Sequence, residues 1–397
     1  MDTSNSLAQA TRDACFIQSG LDAAFRARLG DTTDVEFNFL TPSTDSEGRL
    51  NHNQPVEIRC SSPSGVKDFR GTRIAVIDRA DSPTWQWAMQ AEADLPQGGD
   101  DPAKFIPLAR LLAGNAPVLR AQQEDHEAII AVDFHPRLDF PTSVAAGIRR
   151  SAPDIDEQRA VHELAHHLGI TAAKVGAESA ADSTAESVEH YSDGTTLHFS
   201  SAVGSPQITA IEPGMKDTRI IEDAFYYGME HQMYFQGNFP EATVHVNADV
   251  ATAEIRYSGG KAEATAVLIA TISEERFLWA WADPEVKDTA AAQAAANLYR
   301  FGIDHQVPAL IRPALPLDYA RARQIPQLAL PILGMWTLVG TTLADGRVGL
   351  VLLDSEALHL PQPTSAATEA TLAATPPREI NEARARAAYA SFRGINL

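Results

Sequence analysis

The sequence predicts an α+β protein made of two tandem, duplicated units, each with a mostly antiparallel sheet flanked by helices, plus a C-terminal tail helix. Two observations carry this prediction. Four of the five tryptophans form two W-x-W pairs, Trp85/Trp87 and Trp279/Trp281, and each pair follows an apolar, β-like run. Further segments match around both pairs, in the same order along the chain. We therefore expect one α+β unit to occur twice.

The matching segments predict the elements of each unit in order. Upstream of the tryptophans, residues 11–30 and 218–237 both have the pattern of a helix closed by glycine. Downstream, each unit continues with two helical stretches and a final alternating strand that follows an Asp-Gly turn. The matched pairs are 111–114 with 298–302, 159–165 with 323–329, and 193–199 with 345–351.

These matches and a change in composition near the C-terminus predict the domain boundaries. Residues 1–202 form the first α+β unit with insertions, 203–216 a linker, 217–354 the second unit, 355–377 an extended Pro/Ala/Thr-rich linker and 378–397 a C-terminal helix. One face of that helix carries Ile380, Ala383, Ala387 and Phe392. Two interpretations stay open, a tethered helix that docks on a partner and a helix that packs back on its own domain.

Charge and composition exclude several classes of function. The chain has 32 Lys and Arg against 52 Asp and Glu, a net charge of −20, which disfavours binding to nucleic acid or to anionic membranes. Cys15 and Cys60 are too few for a disulfide framework or a thiolate zinc cluster. No signal peptide and no spanning segment is expected, so we predict a cytoplasmic protein. Its partner is expected to be a protein, and a basic one, through electrostatic complementarity.

The second W-x-W pair carries a resemblance to a known family. Residues 277–284, FLWAWADP, follow the strand-like Leu268–Ser273 and precede the helical motif 299–302. This arrangement resembles an uncharacterised, largely actinobacterial family with the signature A-T-F-S … W-L-W-A-W-A-N, over roughly residues 217–354. The first pair, in TWQWAM at 84–89, resembles a degraded copy. The resemblance implies the domain architecture and supplies no catalytic residues.

One motif has the pattern of a catalytic site. His162-Glu163-Leu-Ala-His166 is H-E-x-x-H, which on a helix places two imidazoles one turn apart, so that both can bind one zinc ion. Glu163 between them is the candidate general base for a zinc-bound water, and the pattern resembles zinc metallopeptidases in general. A third ligand is not evident, although glutamates at 178, 186 and 189 are available.

The same helix has a second interpretation, in which the histidines flank an apolar stripe that packs on the core. The W-x-W pairs also have two. Residues i and i+2 of a strand share a face, so Trp85/Trp87 and Trp279/Trp281 are candidate aromatic platforms for a ligand, or else core residues under a helix. The aromatic segment 224–235 is expected in the core or at an interface.

No nucleotide-binding loop, nucleophile elbow or C-x-x-C motif occurs in the sequence. We therefore predict first a non-catalytic binding or interaction protein without a cofactor. The alternative is a zinc-dependent hydrolase, with His162 and His166 as metal ligands and Glu163 as the base.

Overall fold

The computed structural model describes residues 3–44, 46–47, 50–78, 83–89, 95, 101–123, 125–175, 186–202, 204–377 and 379–397. Its contacts divide the chain into two compact units. The first is Met1–Lys174 with His190–Gly194 and Gly204–Gln207, and the second is Val175–Glu189 with Thr195–Val203 and Ile208–Leu397. The predicted class is confirmed, because both units combine helices with antiparallel sheets and the chain ends in a helix.

The first unit is built around one twisted antiparallel sheet. Its elements are α1 Thr3–Asp13, α2 Cys15–Leu29, β1 Asp34–Phe39, β2 Gln54–Ser62, β3 Gly65–Asp78, β4 Thr84–Trp87, α3 Ile106–Leu112 after a 3-10 turn at Pro102–Phe105, β5 Val118–Gln122, β6 His126–Val132, α4 Phe140–Arg150 and α5 Glu157–His167. The strand order is β1-β2-β3-β6-β5, and β4 pairs with β3 beyond the end of β2. Phe25 of α2 packs against Val56 and Ile58 of this sheet.

A four-stranded sheet follows in the sequence. It consists of β7 Ala172–Val175, β8 Glu186–Tyr191, β9 Thr196–Ser200 and β10 Gln207–Glu212, in the order β10-β9-β8-β7.

The second unit has a larger antiparallel sheet. Its elements are α6 Asp217–Asn238, β11 Thr243–Asn247, β12 Thr252–Tyr257, β13 Gly260–Ser273, β14 Arg276–Trp279, α7 Ala290–Gln293, α8 Ala296–His305, α9 Pro308–Ile311, β15 Ala314–Pro316, α10 Leu317–Ala322, a 3-10 turn at Ile325–Leu328, α11 Ala329–Leu333, β16 Thr337–Thr342, β17 Val348–Asp354, a 3-10 turn at Glu356–Leu358, α12 Ser365–Leu372 and α13 Glu382–Arg393. None of the helices described is long and apolar enough to cross a membrane.

The two units share one strand order. In the second unit β11-β12-β13-β17-β16 repeats β1-β2-β3-β6-β5, and β14 pairs with β13 as β4 pairs with β3. The long strands β3 and β13 both begin with a glycine at positive φ, Gly65 at 124° and Gly260 at 138°, a conformation that favours glycine. Both also shift register by one residue at a corresponding point, between Arg73 and Ala75 and between Leu268 and Ala270.

The shared order corrects all three of the predicted matches downstream of the tryptophans. The strand of the first unit that corresponds to β17 is β6, since each pairs with the long strand, and it is not the segment 193–199. Likewise α11 corresponds to α3, since each is followed by a glycine at positive φ, Gly334 at 67° and Gly114 at 70°, and then by an edge strand. Segment 111–114 therefore does not match 298–302, and segment 159–165, which lies after β6, does not match 323–329. The prediction failed because all short helices show one periodicity and all short strands another. The pattern alone therefore cannot tell which helix or strand of one unit corresponds to which in the other.

The C-terminal segment completes the second unit. After the final hairpin α13 packs on α6, as α4 packs on α2 in the first unit, and each returning helix begins at a side-chain cap, Asn381 or Asp139. The expected extended linker 355–377 is wrong in part, because it contains α12. The expected apolar face of the last helix is also wrong. Ala385 and Tyr389 are its buried residues, whereas Ala383, Ala387 and Phe392 are exposed.

Candidate functional site

The H-E-x-x-H motif lies on α5, in the first unit. The side chain of Asp156 accepts a hydrogen bond from the amide of Arg159 (3.0 Å) and so starts the helix. Val161, Leu164 and Ala165 are buried. His162 is half-buried, while Glu163 and His166 are exposed near the end of the helix. The buried stripe is what the packing interpretation expects.

A zinc site would need a third protein ligand. Across the described ranges, no group of three or more His, Cys, Asp or Glu side chains is placed to hold a metal ion. Of the glutamates considered, Glu189 is buried, Glu186 is exposed and Glu178 lies outside the described residues. Zinc binding by His162 and His166 stays a prediction, which a metal analysis of the purified protein tests.

The structure buries one tryptophan of each pair. Trp85 is 3% exposed and packs beside Trp87, with 5.2 Å between ring centroids. Trp279 is 0% exposed, and its indole nitrogen donates to the carbonyl of Ala309 (2.8 Å). Trp87 and Trp281 are half-buried, and Trp281 packs on Tyr299 (4.8 Å). Trp85 and Trp279 therefore contribute to the cores, which leaves only half-buried rings for a platform.

The two W-x-W pairs do not occupy equivalent positions. Ala75 of β3 pairs with Trp87, and the corresponding Ala270 of β13 pairs with Trp279. The position of Trp85 is therefore taken in the second unit by Phe277. Because side chains alternate with a period of two, a slip of two residues keeps both aromatic residues on the same face. The sequence comparison aligned Trp85 with Trp279, whereas in the sheets Trp87 is the equivalent of Trp279.

The aspartate of the W-A-W-A-D segment links two loops. Asp283 is 1% exposed and accepts hydrogen bonds from Thr271 (2.6 Å), Arg347 (2.6 Å) and the amide of Glu285 (3.0 Å). Arg347 also pairs with Asp345 in the turn before β17. This network fixes the loop after β14 against that turn, which gives Asp283 a structural role.

A surface aromatic cluster forms where α6 and α13 meet. It consists of Tyr227, Trp336 and Phe392, which we call the aromatic patch. The ring centroids lie 4.6 Å apart for Tyr227 and Trp336, 5.1 Å for Trp336 and Phe392, and 4.9 Å for Tyr227 and Phe392, which are stacked. Phe392 is 47% exposed, and the other two rings are half-buried. The sequence analysis placed segment 224–235 in the core or at an interface and did not consider Trp336, the one tryptophan outside the pairs.

Polar side chains lie beneath the aromatic patch. His231 is 6% exposed and its ring packs on Tyr227 (4.8 Å), and neither ring nitrogen has a hydrogen-bond partner within the described chain. Burial, together with the nearby cation Arg393, lowers the pKa of His231 from 6.5 to about 4. The side chain of Arg393 is 8% exposed and pairs with Glu230 (3.0 Å). The imidazole is therefore neutral at neutral pH.

Two open cavities have mixed charge. One, of about 550 Å³, lies on β1–β3 and is lined by Glu36, Asn38, Glu57, Arg59, Asp68 and Arg70 with their neighbours. Here Arg59 pairs with Asp68 and Asn38 bonds to Glu57. The other, of about 650 Å³, lies at the start of α6, where Glu212 pairs with Lys216 and Glu222 with Arg384. In both, opposite charges neutralise each other, as on a solvated surface.

Residues 218–356 match a family of unknown function (DUF6882). The match includes the segment 277–284, which resembles the signature, and all of the sheet from β11 to β17. It ends before α12 and α13, which complete the unit. It covers less than half of the chain. Neither a search of curated proteins nor a search of solved structures gave a match.

Proposed function

We propose that the protein is a non-catalytic binding protein, which takes a basic segment of a protein partner on the aromatic patch of its second unit. The observation that carries the proposal is the half-exposed cluster of Tyr227, Trp336 and Phe392. Tryptophan and tyrosine are enriched among the residues that dominate binding energy at interfaces. A stacked phenylalanine that stays 47% exposed at the end of a helix leaves apolar surface available to a partner.

Charge favours a cationic partner. The net charge of −20 attracts basic proteins over long range and raises their association rate. Near the patch, the exposed carboxylate of Asp354 pairs with His359 (3.1 Å) and interacts electrostatically with His231. Arginine and lysine side chains also bind the faces of aromatic rings, most strongly tryptophan. Aromatic rings beside a carboxylate suit an arginine-rich segment, since its guanidinium groups stack and its charge is complementary.

The test measures binding of a fluorescent octaarginine peptide by the full chain, with octaglutamate as the charge control. We expect octaarginine to bind with a strong dependence on salt, and Phe392→Ala to weaken binding about fivefold or more, as removal of an interface hot spot does. Phe392→Tyr should retain most of the affinity.

The matched control is Val250→Ser, which removes another exposed apolar side chain of the second unit, 60% exposed. It should bind octaarginine as the wild type does. Equal affinity of the wild type and Phe392→Ala would show that the peptide follows net charge alone, and would rule out the patch as the binding site.

A further inference from the structure

Arg73 of β3 is buried with much of its hydrogen-bonding capacity unused. Its side chain is 0% exposed, and Nη2 donates to the carbonyls of Ser43 (2.8 Å) and Asn51 (3.0 Å). Nε and Nη1 are also buried, but neither has a partner in the part of the chain that the structure describes. No carboxylate there forms an ion pair with Arg73, and burial lowers its pKa. An uncompensated buried cation is costly for a fold.

Gln54 lies directly opposite Arg73 in the pairing of β2 with β3. It is 1% exposed, and its Nε2 donates to the carbonyl of Thr41. Its Oε1 is buried and has no partner among the described residues. Two residues that pair across neighbouring strands, and that both donate to the backbone of residues 41, 43 and 51, thus leave two donor nitrogens and one acceptor oxygen unsatisfied.

The second unit shows that the fold does not require an arginine here. Arg73 immediately precedes the register shift of β3, and the residue that immediately precedes the corresponding shift of β13 is Leu268. Leu268 is 0% exposed and packs in the core of the second unit. Because an apolar side chain fills the equivalent position, the arginine of the first unit is explained better by a ligand than by packing.

We propose that Arg73 and Gln54 bind a small oxyanion that carries its own proton, of the hydrogencarbonate or hydrogenphosphate type. Its anionic oxygens accept hydrogen bonds from Nε and Nη1 of Arg73 and neutralise the guanidinium. Its hydroxyl group donates to Oε1 of Gln54, which satisfies the remaining acceptor. A halide could serve the arginine but would repel the glutamine oxygen, so the unsatisfied atoms select for an oxyanion with a proton.

The experiment measures anion binding to the full chain by titration calorimetry and by the shift of the unfolding midpoint, at constant ionic strength in a buffer free of phosphate and carbonate. Hydrogencarbonate, phosphate and chloride are compared. We expect one of the two oxyanions to bind saturably and raise the midpoint, and chloride to bind at least tenfold more weakly. The comparison of the oxyanions identifies the ligand.

Arg73→Leu, which restores the residue of the second unit, should abolish this binding. Arg59→Leu, which removes an exposed arginine of the neighbouring strand, should preserve it. If Arg73→Leu does not fold, Arg73→Lys is used instead, and because lysine keeps the charge without the guanidinium donors it should weaken binding about tenfold. Absence of oxyanion binding by the wild type, equal binding of chloride, or unchanged binding by either Arg73 variant would overturn the proposal.

Discussion

His231 and Asp283 are both buried polar residues of the second unit, but they differ in how their atoms are satisfied. Asp283 accepts three hydrogen bonds, so both of its carboxylate oxygens have partners. The ring nitrogens of His231 have no partner among the described residues, and the nearby Arg393 opposes a positive charge on the ring. The consequence is that His231 favours its neutral form.

This difference predicts a loss of stability in mild acid. Because the folded pKa of His231, about 4, lies below the unfolded value of 6.5, the unfolded state binds more protons between these values. Stability therefore falls as the pH drops from about 6.5 to 4. The contribution of this one group is about 3 kcal/mol, at 1.36 kcal/mol per pKa unit.

Urea unfolding at pH 7 and at pH 4 measures this loss in the wild type and in His231→Phe, which keeps an aromatic ring beside Tyr227. The variant should lose less stability between the two pH values. His135→Phe, which removes an exposed histidine of the first unit, is the control and should behave as the wild type does. An identical pH dependence of the wild type and His231→Phe would contradict a depressed pKa.

At the scale of elements, α13 is held to α6 by Tyr389. Its side chain is 0% exposed beside Tyr226 and Ala385, and its hydroxyl has no hydrogen-bond partner among the described residues. Tyr389→Ala should lower the free energy of unfolding by about 3–4 kcal/mol, because it removes a buried ring. Tyr389→Phe should change it by about 0.5 kcal/mol or less, because no hydrogen bond is lost. Denaturant unfolding measures both, and equal values for the two variants would show that the helix is not packed through this ring.

The sequence predicted some elements well. The apolar runs before both W-x-W pairs lie in β3 and β13, and the helical pattern at 218–237 lies in α6. These segments are long and strongly periodic, so the local pattern of apolar residues was enough to predict the type of element. The same reasoning failed for the last helix, because alanine-rich stretches show nearly equal apolar faces and the contacts of Tyr389 with α6 decide which face is buried.

The aromatic patch and the environment of Arg73 were harder to predict from the sequence. Tyr227, Trp336 and Phe392 are far apart in the chain, and the pairing of α6 with α13 brings them together. Arg73 was not singled out, because an arginine in an alternating strand is ordinarily on the solvent face. Its guanidinium donates to the carbonyls of Ser43 and Asn51, and only three-dimensional contacts reveal that.

At the scale of the whole molecule, the boundaries of the second unit have a consequence for its stability. The family match ends at residue 356, whereas the unit continues to Leu397. A fragment of residues 208–358 would expose Phe225 and Tyr226, which α13 covers. We expect a fragment of residues 208–397 to unfold cooperatively on heating, and the shorter one to bind a hydrophobic dye and to lack a cooperative transition.

Circular dichroism and dye fluorescence compare the two fragments under the same conditions. The longer fragment carrying Tyr389→Ala is an intermediate control, because it keeps the helix but loses the buried ring. A cooperative transition of the shorter fragment, at the temperature seen for the longer one, would show that α12 and α13 are dispensable for folding.

The packing of α13 on α6, and of α4 on α2, has a consequence for how the chain can be rearranged by protein engineering. Since α4 packs on α2 and α13 on α6, the segment from α2 to α4 and the segment from α6 to α13 each begin and end in neighbouring helices. A polypeptide with this property can be cut at one of its hairpins, such as the turn at Gly260, and rejoined through a short peptide between its original ends. The same closeness of the ends suits each of these two segments to insertion into a loop of an unrelated host protein, as well as to circular permutation.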